Sequence, residues 1–382
     1  MELSYPQILG KYRKGGQITV KIQAAVSRAG TAHPQIEELD LEEPRVDEVR
    51  VRIVATGICH TDLNCHSGYG VPTPKPIVLG HEGAGIVEAL GAGVRGLAVG
   101  DHVVLSGGSC GVCPSCRAAR PTYCRDAMKL AFGGMRSDGS SPLSQHGKRI
   151  AGAFFAQSSF ASHVVVPERS AVKVAPDVPL HLLGPLGCGI ITGAGSVLEA
   201  FRLRPGQSLV VFGVGSVGMA AVMAARIAGA SRIVAVDVST ERLALAVSLG
   251  ATDTVVSDPA TVGALREMEP FGFNFSFNTT SAAAVYTMAT ECLANEGTAG
   301  FVTRTQGEWS INVGALLAGG RKFQGILGGS AAPQIFIPML IDYWRQGRFP
   351  FERLIAEYSF DRIGAAWAEC SSGAVLKPVL RM

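Results

Sequence analysis

The sequence predicts an α/β protein of two domains, one rich in β-strands and one built on a parallel sheet. Three observations carry that expectation. At 382 residues the chain is longer than a single core usually sustains. Its first part alternates polar and apolar residues in short runs, whereas its later part interleaves short apolar runs with Ala-rich helical patterns. Its 47 glycines show no collagen-like period, so tight turns and close backbone approaches should be frequent.

Taken in order, residues 1–17 read as a polar, flexible lead-in containing Lys11, Arg13 and Lys14. The strand-built domain follows over 18–189, where residues 49–54 and 161–166 have the two-residue period of half-buried strands between Gly and Pro punctuation. Over 190–326 the apolar run 209–212, the helical stretch 216–228 and the apolar run 233–236 have βαβ texture, which implies parallel strands. The tail, 327–382, is expected to carry helices at 335–345 and near 364–370.

Several function classes fall away on composition. Lysine and arginine number 34 against 31 acidic side chains, and a net charge of +3 is too weak a field to hold a nucleic-acid backbone. Residues 208–225 run 18 positions without a charge, but Gly213, Gly215 and Gly218 interrupt them at turn spacing, so a strand, a turn and a helix are expected rather than a membrane span. The start lacks the charged and apolar regions of an export signal, and the nine cysteines are therefore expected as reduced, metal-binding or buried thiols in the cytoplasm.

Cys110, Cys113, Cys116 and Cys124 follow the spacing C-x-x-C-x-x-C-x7-C. Thiolates at two-residue gaps can wrap one zinc ion tetrahedrally with no position left open, which makes a structural site. A second set is dispersed: Cys59 in Cys59-His60-Thr61-Asp62, His81 in Gly80-His81-Glu82-Gly83, and Cys188 between Gly187 and Gly189. Singly, a Cys or His in apolar surroundings is more often a core residue. Together, two thiolates and one imidazole make an open zinc set whose fourth position takes water or substrate.

The third signal is Gly213-Val214-Gly215-Ser216-Val217-Gly218, between an apolar run and an Ala-rich helix. Such glycines permit a strand-to-helix turn and bring a pyrophosphate close to backbone N–H groups. Asp237 ends the next apolar run, where an acid accepts hydrogen bonds from an adenosine ribose and repels a 2′-phosphate, favouring NAD over NADP. A solvated strand-end acid or a helix cap is the bland alternative for Asp237.

In this order and with these motifs, the sequence resembles the zinc-dependent medium-chain alcohol dehydrogenases over nearly its whole length. Residues 54–62, 155–160 and 184–189 are most similar to the aryl-alcohol (benzyl-alcohol) members. The resemblance implies a GroES-like catalytic domain built from both chain ends, a Rossmann NAD-binding domain inserted at about 190–326, and two zinc ions per chain. It implies reversible oxidation of a primary alcohol, aryl or allylic, to the aldehyde. Physiological aldehyde reduction by the same site is the runner-up, and a non-catalytic dinucleotide-binding relative would be expected to lose the open zinc set.

The resemblance also assigns side chains. Thr61 carries the alcohol proton away, Asp62 orients His81, and Glu82 approaches the metal transiently. His60 and Lys377 meet the cofactor phosphates, Thr192 lies near the nicotinamide, and Arg242 stands at the adenosine end. Phe154 and Phe155 match the apolar pocket wall, and Arg304 falls on the turn near the nicotinamide, facing either a carboxylated substrate or outward. A homodimer is implied by the long segment between Cys124 and Cys188. Two departures stand out. Asn64 occupies a position where many members have a titrating histidine, leaving water, the cofactor ribose or His66 to take the proton. Residues 302–306, Val-Thr-Arg-Thr-Gln, replace a small apolar turn.

Overall fold

Strand-forming residues from both ends of the chain gather in one unit. The computed structural model describes residues 11–14 and 17–382, and they divide into a unit running up to Cys188 joined by Ile355–Met382, and a unit Gly189–Leu354. In the first, the strand Glu48–Gly57 pairs antiparallel with Gly83–Leu90 and His163–Pro167, and its alternating Val49, Val51 and Ile53 are buried in the same apolar core as Val103, Leu105 and Val164. That burial is the physical content of the two-residue period in the sequence. The terminal strand Lys377–Arg381 also lies antiparallel to Glu48–Gly57, with Val379 opposite Gly57. The Ile58 N–H donates to Pro378 O at 2.9 Å, so the chain's end is laid beside the turn that carries Cys59.

Two expected boundaries shift. Lys11–Lys14 forms a strand paired with Gln17–Ser27, so the lead-in expected over 1–17 contributes to a sheet; residues 1–10, 15 and 16 lie outside the described residues. The tail rejoins the first unit at Ile355 and not at 327. The intervening helix Pro333–Arg345 turns Phe336, Ile337, Leu340 and Ile341 inward and packs on the helix Gly189–Gly195 of the second unit. The last helix spans Ile363–Ser372.

The second unit is a six-stranded parallel sheet in the order Asp253–Val256, Arg232–Asp237, Ser208–Phe212, Phe273–Asn278, Leu293–Phe301, Lys322–Gly325. Strand order therefore reverses after Ser208–Phe212, the doubly wound Rossmann arrangement in which ligands bind beyond the carboxyl ends of the central strands. The uncharged stretch 208–225 resolves into the buried strand Ser208–Phe212 and the helix Ser216–Ile227. Among the described residues no helix is long and apolar enough to cross a membrane.

Candidate metal centres and dinucleotide turn

Cys59 caps the helix His60–Ser67, and its N–H donates to Asp62 Oδ2 at 3.0 Å. The other oxygen of this fully buried carboxylate accepts from Gly80 N and faces His81 Nδ1, each at 3.0 Å. Asp62 thus ties the Cys59 turn to the His81 segment and fixes the imidazole. A carboxylate here can only accept, so Nδ1 carries the proton. The opposite nitrogen, Nε2, is buried without a hydrogen-bond partner.

Cys188, after the turn Gly184–Gly187, completes the group: ligand atoms of Cys59, His81, Glu82 and Cys188 lie within 4.8 Å of one another. Two sulfurs converging with an orphaned, correctly polarised imidazole nitrogen are a donor set that fits zinc. Hydrogen bonding with Cys188 draws the Cys59 thiol well below its ordinary range against the cost of burial, aided by His81 and the Lys377 charge. Cys188 is pushed the other way, first by that same hydrogen bond and then by burial.

Lys377 is only 2% exposed, and its Nζ stands 2.9 Å from both Glu82 oxygens and 3.4 Å from Ile58 O. A buried ammonium requires such a counter-charge, and Glu82 supplies it. Burial works against the ammonium, but the facing Glu82 and Cys59 hold its pKa above the ordinary lysine value. Glu82, fully buried, is pushed up to about 7 by desolvation, opposed by Lys377.

The segment after Ala153 presses on His81. Phe155 stacks on the imidazole with centroids 4.5 Å apart, held in a left-handed backbone conformation with φ 50°. Phe154 meets the same ring edge-on at 5.6 Å but is entirely buried, so it is a core residue behind the site and not an exposed pocket wall. Gln157, which sequence reasoning passed over, has its amide between two backbone groups: Nε2 donates to His81 O at 3.0 Å and Oε1 accepts Gly83 N at 3.2 Å.

On the helix, Thr61 is partly buried with Oγ1 3.8 Å from Cys59 Sγ, while His60 and Asn64 are exposed. His66 is held on both ring nitrogens. Its Nδ1 is 2.7 Å from Ser27 Oγ, its Nε2 is 2.9 Å from Thr31 O, and its ring meets Trp367 edge-on.

The closed set is built differently. The sulfurs of Cys113 and Cys116 are 3.5 Å apart and those of Cys110 and Cys116 4.0 Å, near the roughly 3.8 Å edge of a tetrahedron with Zn–S bonds of about 2.3 Å. Backbone N–H groups donate to sulfur, from Cys110 to Cys124 at 3.2 Å and from Cys113 to Cys110 at 3.4 Å. Backbone N–H groups of Arg125 and Cys116 draw the Cys113 thiol down to about 6, ready for a metal.

In the second unit, Gly213 has φ +82°, and a Cβ there would lie 2.6 Å from Thr280 Cγ2. A Cβ on Gly218 would come within 2.0 Å of Gly213 O, which is how closely helix and strand approach. Around Gly215, before Ser216 and Val217 start the helix, a Cβ would meet nothing within 4 Å, leaving room at the helix N-terminus for an anionic group. Asp237, 6% exposed, accepts Val214 N at 2.8 Å through Oδ2 and Ser239 N at 3.0 Å through Oδ1. It therefore pins the glycine turn. Arg242 is partly buried on the first turn of Thr240–Leu249, and Thr192 is partly buried on Gly189–Gly195. Arg304 is exposed after Leu293–Phe301.

Metal-assisted transfer of a hydride to a dinucleotide is the class of chemistry these arrangements serve. The chain belongs to the zinc-binding alcohol dehydrogenases. Residues 45–179 match the alcohol dehydrogenase GroES-like domain and 216–342 the zinc-binding dehydrogenase domain. A geraniol dehydrogenase of Castellaniella defragrans is 43% identical over 368 residues, 94% of this chain and 98% of that one. Among solved structures, an alcohol dehydrogenase zinc-binding domain protein from Burkholderia ambifaria is 48% identical with a TM-score of 0.93, covering 95% of this chain and 99% of the other. The benzyl alcohol dehydrogenase of Acinetobacter calcoaceticus is 41% identical with a TM-score of 0.90 at the same coverage.

Proposed function

We propose that this enzyme oxidises primary aryl or allylic alcohols to aldehydes reversibly, using NAD and a zinc ion held by Cys59 Sγ, His81 Nε2 and Cys188 Sγ. The observation that carries the reading is the orphaned His81 Nε2 converging with two thiols, a set with one coordination position to spare. Zinc there supplies Lewis-acid polarisation of the alcohol oxygen, and NAD accepts the hydride. Thr61 Oγ1 accepts the alcohol proton and passes it toward solvent at the exposed His60–Asn64 turn, because neither Asn64 nor the occupied His66 ring can take it. Asp62 keeps His81 in the tautomer that presents Nε2, and the Lys377 charge favours the thiolate of Cys59.

Phe155 offers a half-buried aromatic face beside His81, suited to a flat substrate, and the named activities of the geraniol and benzyl alcohol relatives support that choice. The Gly213–Gly218 turn and Asp237 hold the dinucleotide, His60 and Arg242 meet its charged parts, and Thr192 its nicotinamide end. The Cys110, Cys113, Cys116 and Cys124 loop binds a structural zinc. Self-association as a homodimer is supported by the edge strand Lys322–Gly325, unpaired on its outer side among the described residues, and by exposed Val313 and Leu317 nearby in sequence.

The test is NADH absorbance on mixing enzyme and NAD with benzyl, cinnamyl and aliphatic alcohols. Aromatic and allylic alcohols should exceed ethanol in kcat/KM by about a hundredfold or more, since each buried CH2-sized group contributes about 0.8 kcal/mol. A preference for ethanol, or no NADH from any alcohol, would refute the reading.

A further inference from the structure

His81 and Glu82 are adjacent, yet both side chains enter one cluster whose ligand atoms lie within 4.8 Å of one another. Neighbouring residues on an extended strand point to opposite faces. Convergence therefore demands a turn, and the chain is indeed outside any strand at residues 79–82, between Ile77–Val78 and Gly83–Leu90. A turn buried this deeply must have its carbonyl and N–H groups satisfied without ladder partners. Asp62 accepts Gly80 N, and Gly57 N donates to Glu82 O at 3.0 Å. A further two, His81 O and Gly83 N, are taken by the two ends of one side-chain amide, that of the fully buried Gln157.

We infer that Gln157 is a positioning residue: by bridging His81 O and Gly83 N it locks the turn that aims His81 Nε2 and the Glu82 carboxylate at the same point, and so sets how firmly the open zinc set retains its ion. The inference rests on the proposed Cys59, His81 and Cys188 zinc site. Gln157 is itself anchored, because Ser159 N donates to Gly80 O at 2.9 Å, Phe160 N to Leu79 O at 3.1 Å and Ser158 Oγ to Val78 O at 2.6 Å, zipping residues 158–160 along 78–80.

The experiment compares purified zinc-loaded wild type with Gln157→Met, which keeps volume and removes both hydrogen bonds, and with Thr56→Val. Thr56 Oγ1 and Ser159 Oγ form a buried bond of 2.8 Å beside the same turn that touches neither His81 O nor Gly83 N, so this variant removes a neighbouring buried bond while leaving the Gln157 bridge in place. Release of zinc to a chromogenic chelator should be biphasic, and Gln157→Met should accelerate the faster phase by about 10- to 100-fold, the usual effect of losing an outer partner of a metal ligand. The slower phase, from the four-cysteine loop, should not change. In the cobalt-substituted protein the ligand-field bands of the open set should shift in Gln157→Met and stay fixed in Thr56→Val. Should Gln157→Met fail to fold, Gln157→Glu, which keeps an acceptor for Gly83 N but loses the donor to His81 O, should show the same acceleration. Wild-type release rates and spectra in the folded Gln157 variant, or equal acceleration in Thr56→Val, would overturn the positioning role. A wild type that binds zinc only in the four-cysteine loop would instead refute the open site itself.

Discussion

The two cysteine-bearing sites of the first unit are assembled on opposite plans. The loop of Cys110, Cys113, Cys116 and Cys124 gathers its sulfurs within 15 residues and shapes them with its own backbone N–H groups. The open set brings Cys59, His81 and Cys188 together from distant positions, and side chains hold it: Asp62 on the imidazole, Lys377 on Glu82, Gln157 across the turn. A closed local site can only contribute folding free energy, whereas an open site must be kept in geometry by its surroundings so that one position stays available for chemistry.

Substitution can break that contrast. The largest effect is expected for Cys188→Ser, which should lower kcat/KM by about a thousandfold or more with little change in thermal midpoint. Cys116→Ser should do the reverse, lowering the midpoint by about 10 °C as several kcal/mol are lost while the surviving folded fraction turns over. Equal thermal losses in calorimetry would dissolve the distinction.

A smaller effect is expected from Asp237→Ser. Because Asp237 accepts Val214 N and, on the proposed function, meets the cofactor ribose, the variant should weaken NAD by about ten- to a hundredfold, about 1.5–3 kcal/mol for a hydrogen bond to a charged group, while narrowing the preference over NADP. Steady-state kinetics with both cofactors check it; unchanged NAD kinetics would show that the acid plays no part in holding the cofactor.

The smallest effect concerns acid. Burial lowers the pKa of His66 below its ordinary 6.5, against the pull of Thr31 O. Between the two values the unfolded chain binds the extra proton, so His66 contributes stability that is complete above about pH 6.5 and declines as pH falls through the folded value. Urea midpoints should fall over that window in wild type and less so in His66→Gln, whose amide can still reach Ser27 or Thr31. Parallel pH profiles would count against it.

The legibility of each site followed from how it is built. The four-cysteine loop and the glycine turn were readable because backbone geometry at fixed short spacing is written locally, and the parallel sheet because two of its inner strands carry the apolar runs 209–212 and 233–236. The ligands of the open set were readable as types but not as a cluster without family resemblance. The Lys377–Glu82 pair was not legible, because a lysine near a chain end gives no sign that its strand is laid against Glu48–Gly57 and its ammonium buried on Glu82. Phe154 and Phe155 are identical in sequence terms, and only the left-handed backbone at Phe155 decides which ring fills the core and which remains partly open. Gln157 carried one signal, a polar amide between apolar neighbours, with nothing to name its partners.

The most direct test of the two-plan account is staged zinc removal from the wild type, with bound zinc, NAD-dependent oxidation of benzyl alcohol and far-UV circular dichroism followed on one sample. Two zinc ions per chain should be present at the start. Loss of the first should abolish oxidation with the fold intact and be reversed by added zinc, and loss of the second should collapse the spectrum. A single zinc per chain, or oxidation that survives removal of the first ion, would contradict it.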